Sequence, residues 1–277
     1  MEILEKKPLA PQIMKFVVKA PLVAFKARPG HFVIVRANEK AERIPLTISD
    51  FDRAGGTITL VCQEVGRSTG EINRMEAGEA FLDIMGPLGM AYPVEKIGTV
   101  LCVAGGLGVA PLYPKAKALH EKGNTILTVM GARTREMLVM AGEMEGISRE
   151  VFYSTDDGSF GHRGFVTDLV REVLLNNQVD EVIAIGPVPM MNAVCQLTRP
   201  MGKRTLVSLN AVMVDGSGMC GGCRVSVNGK TRFCCVDGPA FDGHAVDFKE
   251  LMNRQRYYVD QEKQAYQIWR EGCACGK

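Results

Sequence analysis

The chain has 277 residues, 33 Lys and Arg against 31 Asp and Glu, and a formal net charge of +2. This length predicts about two domains, and 46% hydrophobic with 23% charged residues argues against disorder and against a coiled coil. The small net charge gives no electrostatic reason for a nucleic-acid partner, and no apolar run approaches the ~18 residues of a membrane span. With no signal-peptide core at the N-terminus, we expect a cytoplasmic protein that binds neither nucleic acid nor membrane.

Residues 1–96 are predicted to form a small antiparallel β-barrel. The runs MKFVVKAP, GHFVIVRAN, TITLVCQEV and EAFLDIMGP are rich in Val, Ile, Thr and Phe and are separated by Pro and Gly, as short strands are. Three further stretches, RIPLTISD, EVGRSTGEI and MGPLGM, are interpreted as loops at strand ends. In these stretches Arg43 is suited to clamp a pyrophosphate, and Thr47, Ser68 and Thr69 to bond a ligand's edge, although each alone also fits a surface turn.

Residues 97–208 change to a pattern of alternating strands and helices. IGTVLCVAGG precedes the helix candidate VAPLYPKAKALHEKG, and TILTVMGA, a helical stretch near Met137–Met144, EVFYST, the helix FVTDLVREVLLNN and EVIAIGP follow. Such alternation predicts βαβ units and a parallel sheet. Beyond residue 205 the regularity fades into a Gly- and Cys-rich segment and then a polar tail that is expected to be helical.

A glycine-rich turn follows the first of these strands. Gly105, Gly106 and Gly108 stand between strand and helix, where backbone N–H groups can receive a pyrophosphate, and Pro111 falls in the first helical turn. The segments STDDGSFGHRG and GPVPMM follow later strands, and ligands of open α/β sheets bind beyond the carboxyl ends of strands. The pattern therefore indicates a nucleotide site, with an ordinary packing turn as the alternative.

The nine cysteines are unevenly distributed. Cys62, Cys102 and Cys195 stand alone in apolar segments and are predicted to be buried small hydrophobes. The other six are close to the C-terminus, where a thiolate cluster in a chain without a signal sequence suggests a metal site rather than disulfides.

The sharpest motif is VDGSGMCGGCRVSVNGKTRFCCVDGPAF. Cys220 and Cys223 form a C-x2-C pair, and the Asn-Gly turn at 228–229 is predicted to fold a hairpin that returns Cys235 towards them. Three cysteines with one further ligand suit an iron–sulfur cluster, and a zinc knuckle is the alternative.

Together these motifs resemble the ferredoxin–NADP reductase superfamily, most closely its branch with a C-terminal 2Fe-2S cluster. PGHF resembles a family turn, RIPLT is similar to the flavin-binding stretch with Ile44 in place of a second Arg, and EVGRSTGEI is similar to the loop at the FAD phosphates. GGLGVAP, STDDGSFGHRG and GPVPMM resemble the nicotinamide dinucleotide motifs, with Ile185 where the family commonly has Cys.

The resemblance implies an FAD-binding barrel (1–96), an NAD(P)-binding α/β domain (97–208), a cluster-binding segment (209–245) and a helical tail (246–277). FAD would be held by Arg43, Pro45, Leu46, Thr47, Gly66, Ser68 and Thr69. The nicotinamide dinucleotide would be held by Gly105, Gly106, Gly108, Ala110, Pro111, Arg133, Asp156, Asp157, Gly186, Pro187 and Met190. We expect NAD(H), because of Asp156 and Asp157 and the family's use, with NADP(H) the alternative suggested by Arg133 and Arg135.

The branch ligates its cluster through C-x4-C-x2-C-x11-C, and Cys220, Cys223 and Cys235 match the last three positions. Asp215 stands at the first, a replacement typical of the sulfide dehydrogenase type within the branch, so the implied cluster ligands are one aspartate and three cysteines. The alternative is that Asp215 is a turn residue and that Cys234 supplies the fourth ligand. Neighbouring side chains of a strand face opposite sides, which argues against Cys234.

The implied function is a flavin and 2Fe-2S electron-transfer subunit of an electron-bifurcating NADH-dependent reduced ferredoxin:NADP oxidoreductase. That role implies no catalytic side chain of its own, a larger partner subunit with a flavin and 4Fe-4S clusters, and ferredoxin reached through that partner. Two alternatives remain: the electron-transfer subunit of dihydroorotate dehydrogenase, and a zinc-stabilised nucleotide-binding regulatory module. The tail cysteines Cys273 and Cys275 lie outside the resemblance and are expected to belong to a free chain end.

Overall fold

The computed structural model describes residues 1–274, of which 273 and 274 are described by their backbone alone. The expectation for Cys273 and Cys275 therefore lies outside the described side chains. No helix in this described part is long and apolar enough to cross a membrane.

The N-terminal sheet has six antiparallel strands in the order β1-β2-β5-β4-β3-β6. Their bounds are β1 Ile3–Ala10, β2 Ile13–Lys19, β3 Phe32–Arg36, β4 Ile44–Asp52, β5 Thr57–Gln63 and β6 Asp83–Leu88. The sheet closes because Ile3 N donates to Glu79 O (2.8 Å) and Phe81 N donates to Met1 O (3.0 Å), so that β1 meets the segment before β6. The predicted antiparallel barrel is confirmed. Two helices accompany it, α1 at Pro21–Lys26 and α2 at Arg67–Arg74.

Parts of the loop interpretation in the barrel were wrong. RIPLTISD is mostly strand β4, whose apolar residues at alternate positions, Leu46 and Ile48, are buried in the barrel. EVGRSTGEI contains helix α2 rather than only loop, because the Thr69 hydroxyl accepts from Gly66 N and caps the first turn. MGPLGM begins inside β6. Strand β1 was not predicted, since it lies in the charged stretch ILEKKPLA.

The second sheet has seven strands in the order β10-β9-β8-β7-β11-β12-β15, parallel except for the antiparallel edge strand β15. Their bounds are β7 Thr99–Gly105, β8 Thr125–Ala132, β9 Glu150–Thr155, β10 His162–Arg163, β11 Glu181–Ile185, β12 Arg204–Ser208 and β15 Ala240–Asp242. The accompanying helices are α3 Val109–Glu121, α4 Ala141–Glu145, α5 Val166–Asn176 and α6 Val188–Thr198. The predicted parallel α/β domain is confirmed, whereas α6 was not predicted.

A separate hairpin, β13 Arg224–Val227 with β14 Lys230–Phe233, lies in the cysteine-rich segment. Its turn residues Asn228 and Gly229 have φ of 52° and 68°, the left-handed conformations that a two-residue hairpin requires. The predicted hairpin is therefore confirmed. The chain then forms α7 Phe248–Gln255 and α8 Val259–Ala274, as the helical reading of the tail predicted.

Strand β3 joins the barrel to the rest of the molecule, because it is buried on both faces. Val33 and Val35 lie in the barrel core, whereas Phe32 and Ile34 belong to an apolar cluster shared with the parallel sheet and the cysteine-rich segment. Two polar contacts reinforce the junction: Lys117 Nζ lies 3.0 Å from Asp50 Oδ1 in β4, and buried Tyr92 donates to buried Glu181 (2.7 Å).

Candidate redox cofactor sites

The predicted dinucleotide motifs meet at one edge of the parallel sheet. Gly105 at the end of β7 pairs with Gly131 of β8, Ala104 pairs with Ile185 of β11, and Ala132 pairs with Thr155 of β9. The carboxyl ends of four neighbouring strands therefore bring together the glycine turn, Arg133, Asp156 and Gly186, at the edge where open α/β sheets bind ligands.

The three glycines of the turn have different surroundings. A Cβ on Gly108 would lie 2.1 Å from Ile185 O, so the absence of a side chain here lets the start of α3 pack against the end of β11. A Cβ on Gly105 would lie 2.4 Å from Met190 Sδ, because Met190 rests directly on the turn. Gly106, at a φ of 52°, has open space where its Cβ would point, which leaves its backbone accessible to a ligand at the start of α3.

The neighbouring residues support the turn in different ways. A Cβ on Gly186 would lie 3.0 Å from the backbone of Gly105, so the GPVPMM and GGLG segments are packed against each other. Pro187 occupies the position immediately before α6. At the start of α3, Ala110 is buried and Pro111 is half-buried.

The two aspartates beyond β9 differ in their engagement. The Asp157 carboxylate accepts from the backbone N–H (2.9 Å) and the hydroxyl (2.6 Å) of Ser159, and the Ser159 hydroxyl holds the pKa of Asp157 below its ordinary value. Asp156 and Arg133 are exposed and face solvent at the sheet edge. Asp156 and Arg133 are therefore the freer pair for contact with a ribose or its phosphate.

The predicted flavin residues lie along β4 and at the start of α2. Pro45 and Thr47 are half-buried on the outer side of β4, and Leu46 between them points into the barrel core, so that only its backbone is available to a ligand. Arg43 is exposed immediately before the strand.

The start of α2 is close to the Arg43 end of β4. Ser68 Oγ donates to the carboxylate of Glu42, the residue before Arg43, and this hydrogen bond joins the two predicted flavin motifs. Gly66 has open space where a Cβ would point, and Thr69 Oγ1 accepts from Val65 N (2.9 Å). An exposed arginine and the free N–H groups of a helix start are the donor set that suits a pyrophosphate.

The cysteine-rich segment brings its predicted ligands together as two pairs. The Sγ atoms of buried Cys223 and Cys235 are 3.2 Å apart, and Cys235 N–H points at the Cys223 sulfur (3.4 Å). Asp215 Oδ2 accepts from Cys220 N (2.9 Å), which places the aspartate beside the exposed Cys220.

Asp215 also closes its own turn, as the alternative interpretation expected. Its Oδ1 accepts from Ser217 N (2.8 Å), and this backbone N–H is the main reason why the pKa of Asp215 lies below its ordinary value. A carboxylate has about four lone-pair positions, and two N–H donors leave some of them free. The turn and a metal bond are therefore compatible.

The argument against Cys234 rested on a strand that the structure does not contain. β14 ends at Phe233, and Cys234 and Cys235 both lie in the following turn, where both are buried. Burial, together with the neighbouring Cys223 and Cys235, raises the pKa of Cys234 to about 12. Cys234 is thus a third sulfur near the Cys223–Cys235 pair. As predicted, Cys62, Cys102 and Cys195 are buried elsewhere.

Among the described side chains, those of residues 1–272, no three of His, Cys, Asp or Glu converge as ligands of a single metal ion. A binuclear cluster shares its four ligands between two irons, so two separate pairs fit it better than they fit one zinc. Cys223 with Cys235 and Asp215 with Cys220 have this arrangement, and three thiols with one carboxylate beside backbone N–H groups suit iron–sulfur chemistry.

The cluster segment lies directly on strand β3. A Cβ on Gly216 would lie 2.9 Å from Ile34 Cγ1, and Gly238 O accepts from Met90 N (2.6 Å) beyond β6. Along one of its edges β3 pairs with β4, with Ile34 opposite Pro45 and Phe32 opposite Thr47. The flavin motif and the cluster loop are therefore separated by one strand. The sequence reasoning missed this role of β3, although the unbroken apolar run FVIV indicates burial on both faces.

Comparison with known proteins agrees with this geometry. Residues 210–247 match the iron–sulfur cluster binding domain of dihydroorotate dehydrogenase B, and residues 102–196 match the oxidoreductase NAD-binding domain. A Thermotoga maritima protein described as a homolog of the dihydroorotate dehydrogenase B (NAD(+)) electron transfer subunit is 46% identical over 266 residues, covering 96% of this chain and 94% of that protein. The chain belongs to this electron-transfer subunit family. A Geobacillus member, described as the electron transfer subunit itself, is 34% identical and covers 89% of this chain and 97% of its own.

A solved structure of NADH-dependent reduced ferredoxin-NADP oxidoreductase, reported for insight into flavin-based electron bifurcation, also matches at 44% identity. Its TM-score is 0.92, and the match covers 97% of each chain. A ferredoxin reductase of carbazole 1,9a-dioxygenase, at 19% identity and a TM-score of 0.60, shares the fold alone.

These comparisons confirm, at family level, the prediction of an oxidoreductase with the ferredoxin reductase fold. They also confirm the predicted cofactor set, which is an iron–sulfur cluster and a nicotinamide dinucleotide on a flavin-reductase fold. The named relatives are subunits, so a member of this family works with a larger partner.

Proposed function

We propose that this chain is the flavin and 2Fe-2S electron-transfer subunit of an NADH-dependent reduced ferredoxin:NADP oxidoreductase. The observation that carries the proposal is the one-strand separation between the flavin motif on β4 and the cluster loop on β3, combined with the likeness over 97% of the chain to an enzyme of that name. Asp215 at the first ligand position supports this enzyme over the dihydroorotate dehydrogenase subunit, whose cluster has four cysteine ligands.

The chain's own groups then have distinct tasks. The open backbone at Gly106 and the start of α3 receive the dinucleotide pyrophosphate, whereas Arg43 and the start of α2 receive that of FAD. Pro45 and Thr47 border the flavin along β4, and Asp215, Cys220, Cys223 and Cys235 hold the cluster. FAD held there would supply hydride acceptance from NADH and release of electrons one at a time, and the cluster would supply one-electron acceptance. Phe32 and Ile34 exclude water from the space between the two sites.

Charge at the sheet edge supports NAD(H) as the dinucleotide. Asp156 is exposed beside Arg133, and a carboxylate there bonds a ribose hydroxyl and repels a 2′-phosphate. Titration of the purified protein with each dinucleotide tests this choice. We expect tighter binding of NADH, and equal or tighter binding of NADPH would contradict it.

The main test is the ultraviolet–visible spectrum and metal content of anaerobically purified protein, before and after addition of NADH. We expect flavin bands and about two irons per chain, as a 2Fe-2S cluster requires, with bleaching by NADH. A colourless protein that contains zinc and no flavin would refute the proposal and support the regulatory module.

A second candidate, the electron-transfer subunit of dihydroorotate dehydrogenase, is favoured by the match at 210–247 and by the names of two relatives. Reconstitution with a dihydroorotate dehydrogenase B catalytic subunit separates the two functions. Under our proposal no dihydroorotate-dependent reduction of NAD⁺ appears, whereas a larger flavin and 4Fe-4S subunit restores NADPH- and ferredoxin-linked activity. Dihydroorotate-dependent activity would establish the second candidate instead.

A further inference from the structure

The C-terminal helix α8 contacts the barrel through very few side chains. Beyond its first residue, Tyr266 and Trp269 are half-buried, and the other described side chains of the helix are exposed. These two aromatic rings stack with their centroids 5.9 Å apart and face α2. The contact therefore depends on one small aromatic surface, Tyr266 with Trp269.

Trp269 occupies a notch that a glycine leaves open in α2. A Cβ on Gly70 would lie 2.4 Å from the indole ring, so any side chain at this position excludes the tryptophan. The guanidinium of Arg74, one helical turn further on, lies 4.1 Å from the ring centroid. Because Gly70 sits in the interior of a helix, where glycine is unfavourable, its value is the room that it gives to Trp269.

Tyr266 reaches the other end of the same segment. Its hydroxyl donates to Glu64 Oε1 at 2.6 Å, and Glu64 lies two residues before Gly66. Together the two aromatic residues therefore hold residues 64–74 at both ends. This segment contains Gly66, Ser68 and Thr69, the groups assigned to the FAD pyrophosphate.

We propose that Tyr266 and Trp269 are positioning residues for FAD, and that helix α8 braces the phosphate-binding start of α2. The inference rests on the proposed FAD site. Helix α2 has eight residues, too few to be stable without tertiary contacts, so the direction of its N–H groups depends on what packs against it. Helix N–H groups bind phosphate well only when they are held in one geometry. Retention of FAD thereby depends on the C-terminal end of the chain.

The test is a titration of the deflavinated full-length protein with FAD, in which the quenching of flavin fluorescence measures binding. Trp269 is the single tryptophan of the chain, so its emission reports the same contact without interference. Trp269→Ala is expected to weaken FAD binding at least tenfold, and Trp269→Phe to restore most of the loss. Tyr266→Phe, which removes the bond to Glu64, is expected to weaken binding two- to fivefold.

Gly70→Ala is the sharpest variant, because alanine strengthens α2 as a helix while its Cβ expels the indole ring. We expect at least tenfold weaker FAD binding and a red shift of the Trp269 emission. Ile268→Ala, on the exposed face of α8, is the matched control and should leave both readings unchanged. The iron content should stay at the wild-type value in every variant, because Tyr266 and Trp269 contact α2 and Glu64 rather than the proposed cluster ligands.

Wild-type FAD affinity in both Trp269→Ala and Gly70→Ala would overturn the inference. If Trp269→Ala does not fold, Gly70→Ala and Tyr266→Phe decide the question, since both leave the indole in the chain. Ser68→Asp separates the inference from the site on which it rests, because an added carboxylate at the start of α2 repels the FAD phosphates. If Ser68→Asp has no effect either, the FAD site itself is wrongly assigned. If Ser68→Asp weakens binding and the aromatic and Gly70 variants do not, the brace alone is refuted.

Discussion

Lys115 provides a quantitative test of the packing behind the dinucleotide turn. It lies in α3, the helix that begins at this turn, and its side chain is 1% exposed. Burial lowers the pKa of Lys115 from 10.5 to about 8, although the nearby Cys102 opposes the shift. The fold therefore tolerates a desolvated ammonium group at neutral pH, and Lys115→Met, which keeps the length of the side chain, should remove that penalty.

The size of the penalty follows from the two pKa values. One pH unit corresponds to about 1.4 kcal/mol, so the difference between 10.5 and about 8 corresponds to about 3 kcal/mol. Between these values the unfolded chain holds more protons than the folded one, so the free energy of unfolding of the wild type rises with pH. This stabilisation is complete above the unfolded pKa and is lost as the pH falls through the folded pKa of about 8.

Urea unfolding of both proteins at pH 7 and pH 9.5 is the measurement. We expect Lys115→Met to be more stable by about 3 kcal/mol at pH 7, and this advantage to shrink by about 2 kcal/mol at pH 9.5 as the wild-type lysine loses its proton. Lys122→Met, an exposed lysine after the same helix, controls for the loss of a positive charge. A stability difference that is the same at both pH values would refute the reasoning, since it would mean that Lys115 is not desolvated.

Three further predictions concern the cofactor sites. Gly108→Ala places a Cβ 2.1 Å from Ile185 O and should destabilise the fold strongly and abolish NADH binding with it. The Cβ of Gly106→Ala meets no protein atom, so this variant should lose only about 1 kcal/mol of its free energy of unfolding, for its left-handed backbone, while NADH binding weakens because the Cβ points into the space assigned to the pyrophosphate. Thermal melting and NADH titration compare the two variants, and equal losses of stability would contradict the distinction. Mild oxidation of iron-free protein should join Cys223 to Cys235, and iron should protect both; peptide mass spectrometry after alkylation detects the bond, and a different cysteine pair would count against this geometry. Glu42→Gln removes a negative charge beside Ser68 and should tighten FAD binding, more at low salt than at high salt; weaker binding in a fluorescence titration would speak against a phosphate site there.

Local sequence predicted the elements whose signals are themselves local. The strand–glycine–helix pattern at Gly105 and the Asn-Gly turn at 228–229 each contain their determinants within a few residues, and both were correct. The prediction of a loop at RIPLTISD was wrong because Pro45 is typical of turns, and only pairing with β3 and burial of Leu46 make this stretch a strand. The assumption that Cys234 lies in a strand was wrong for a related reason. The end of β14 depends on a turn in which Phe233 N donates to Asp237 Oδ2 (2.7 Å).

Contacts between distant segments were beyond the reach of the sequence. Nothing near Gly70 indicates that Trp269 will pack on it, because the reason for that glycine lies at the other end of the chain. The contact of Gly216 with Ile34 is similar, since the DGSG stretch by itself predicts only a turn. Ligand spacing pointed to the residues that we propose as cluster ligands, and the tertiary fold determines what the loop that carries them faces.

Strand β3 explains how the barrel and the cysteine-rich segment, which are far apart in the sequence, come to lie against each other. A strand in a closed barrel normally offers one face to solvent, but Phe32 and Ile34 cover the outer face of β3 with apolar side chains. That face must be buried, and the cysteine-rich segment buries it, with Gly216 close enough to touch Ile34 because it has no side chain. The same burial that stabilises the contact sets the cluster loop one strand away from the flavin motif on β4. Hydrophobic burial of β3 thus does two things at once: it attaches the third segment to the barrel, and it sets the loop of the proposed cluster ligands one strand away from the proposed flavin motif on β4.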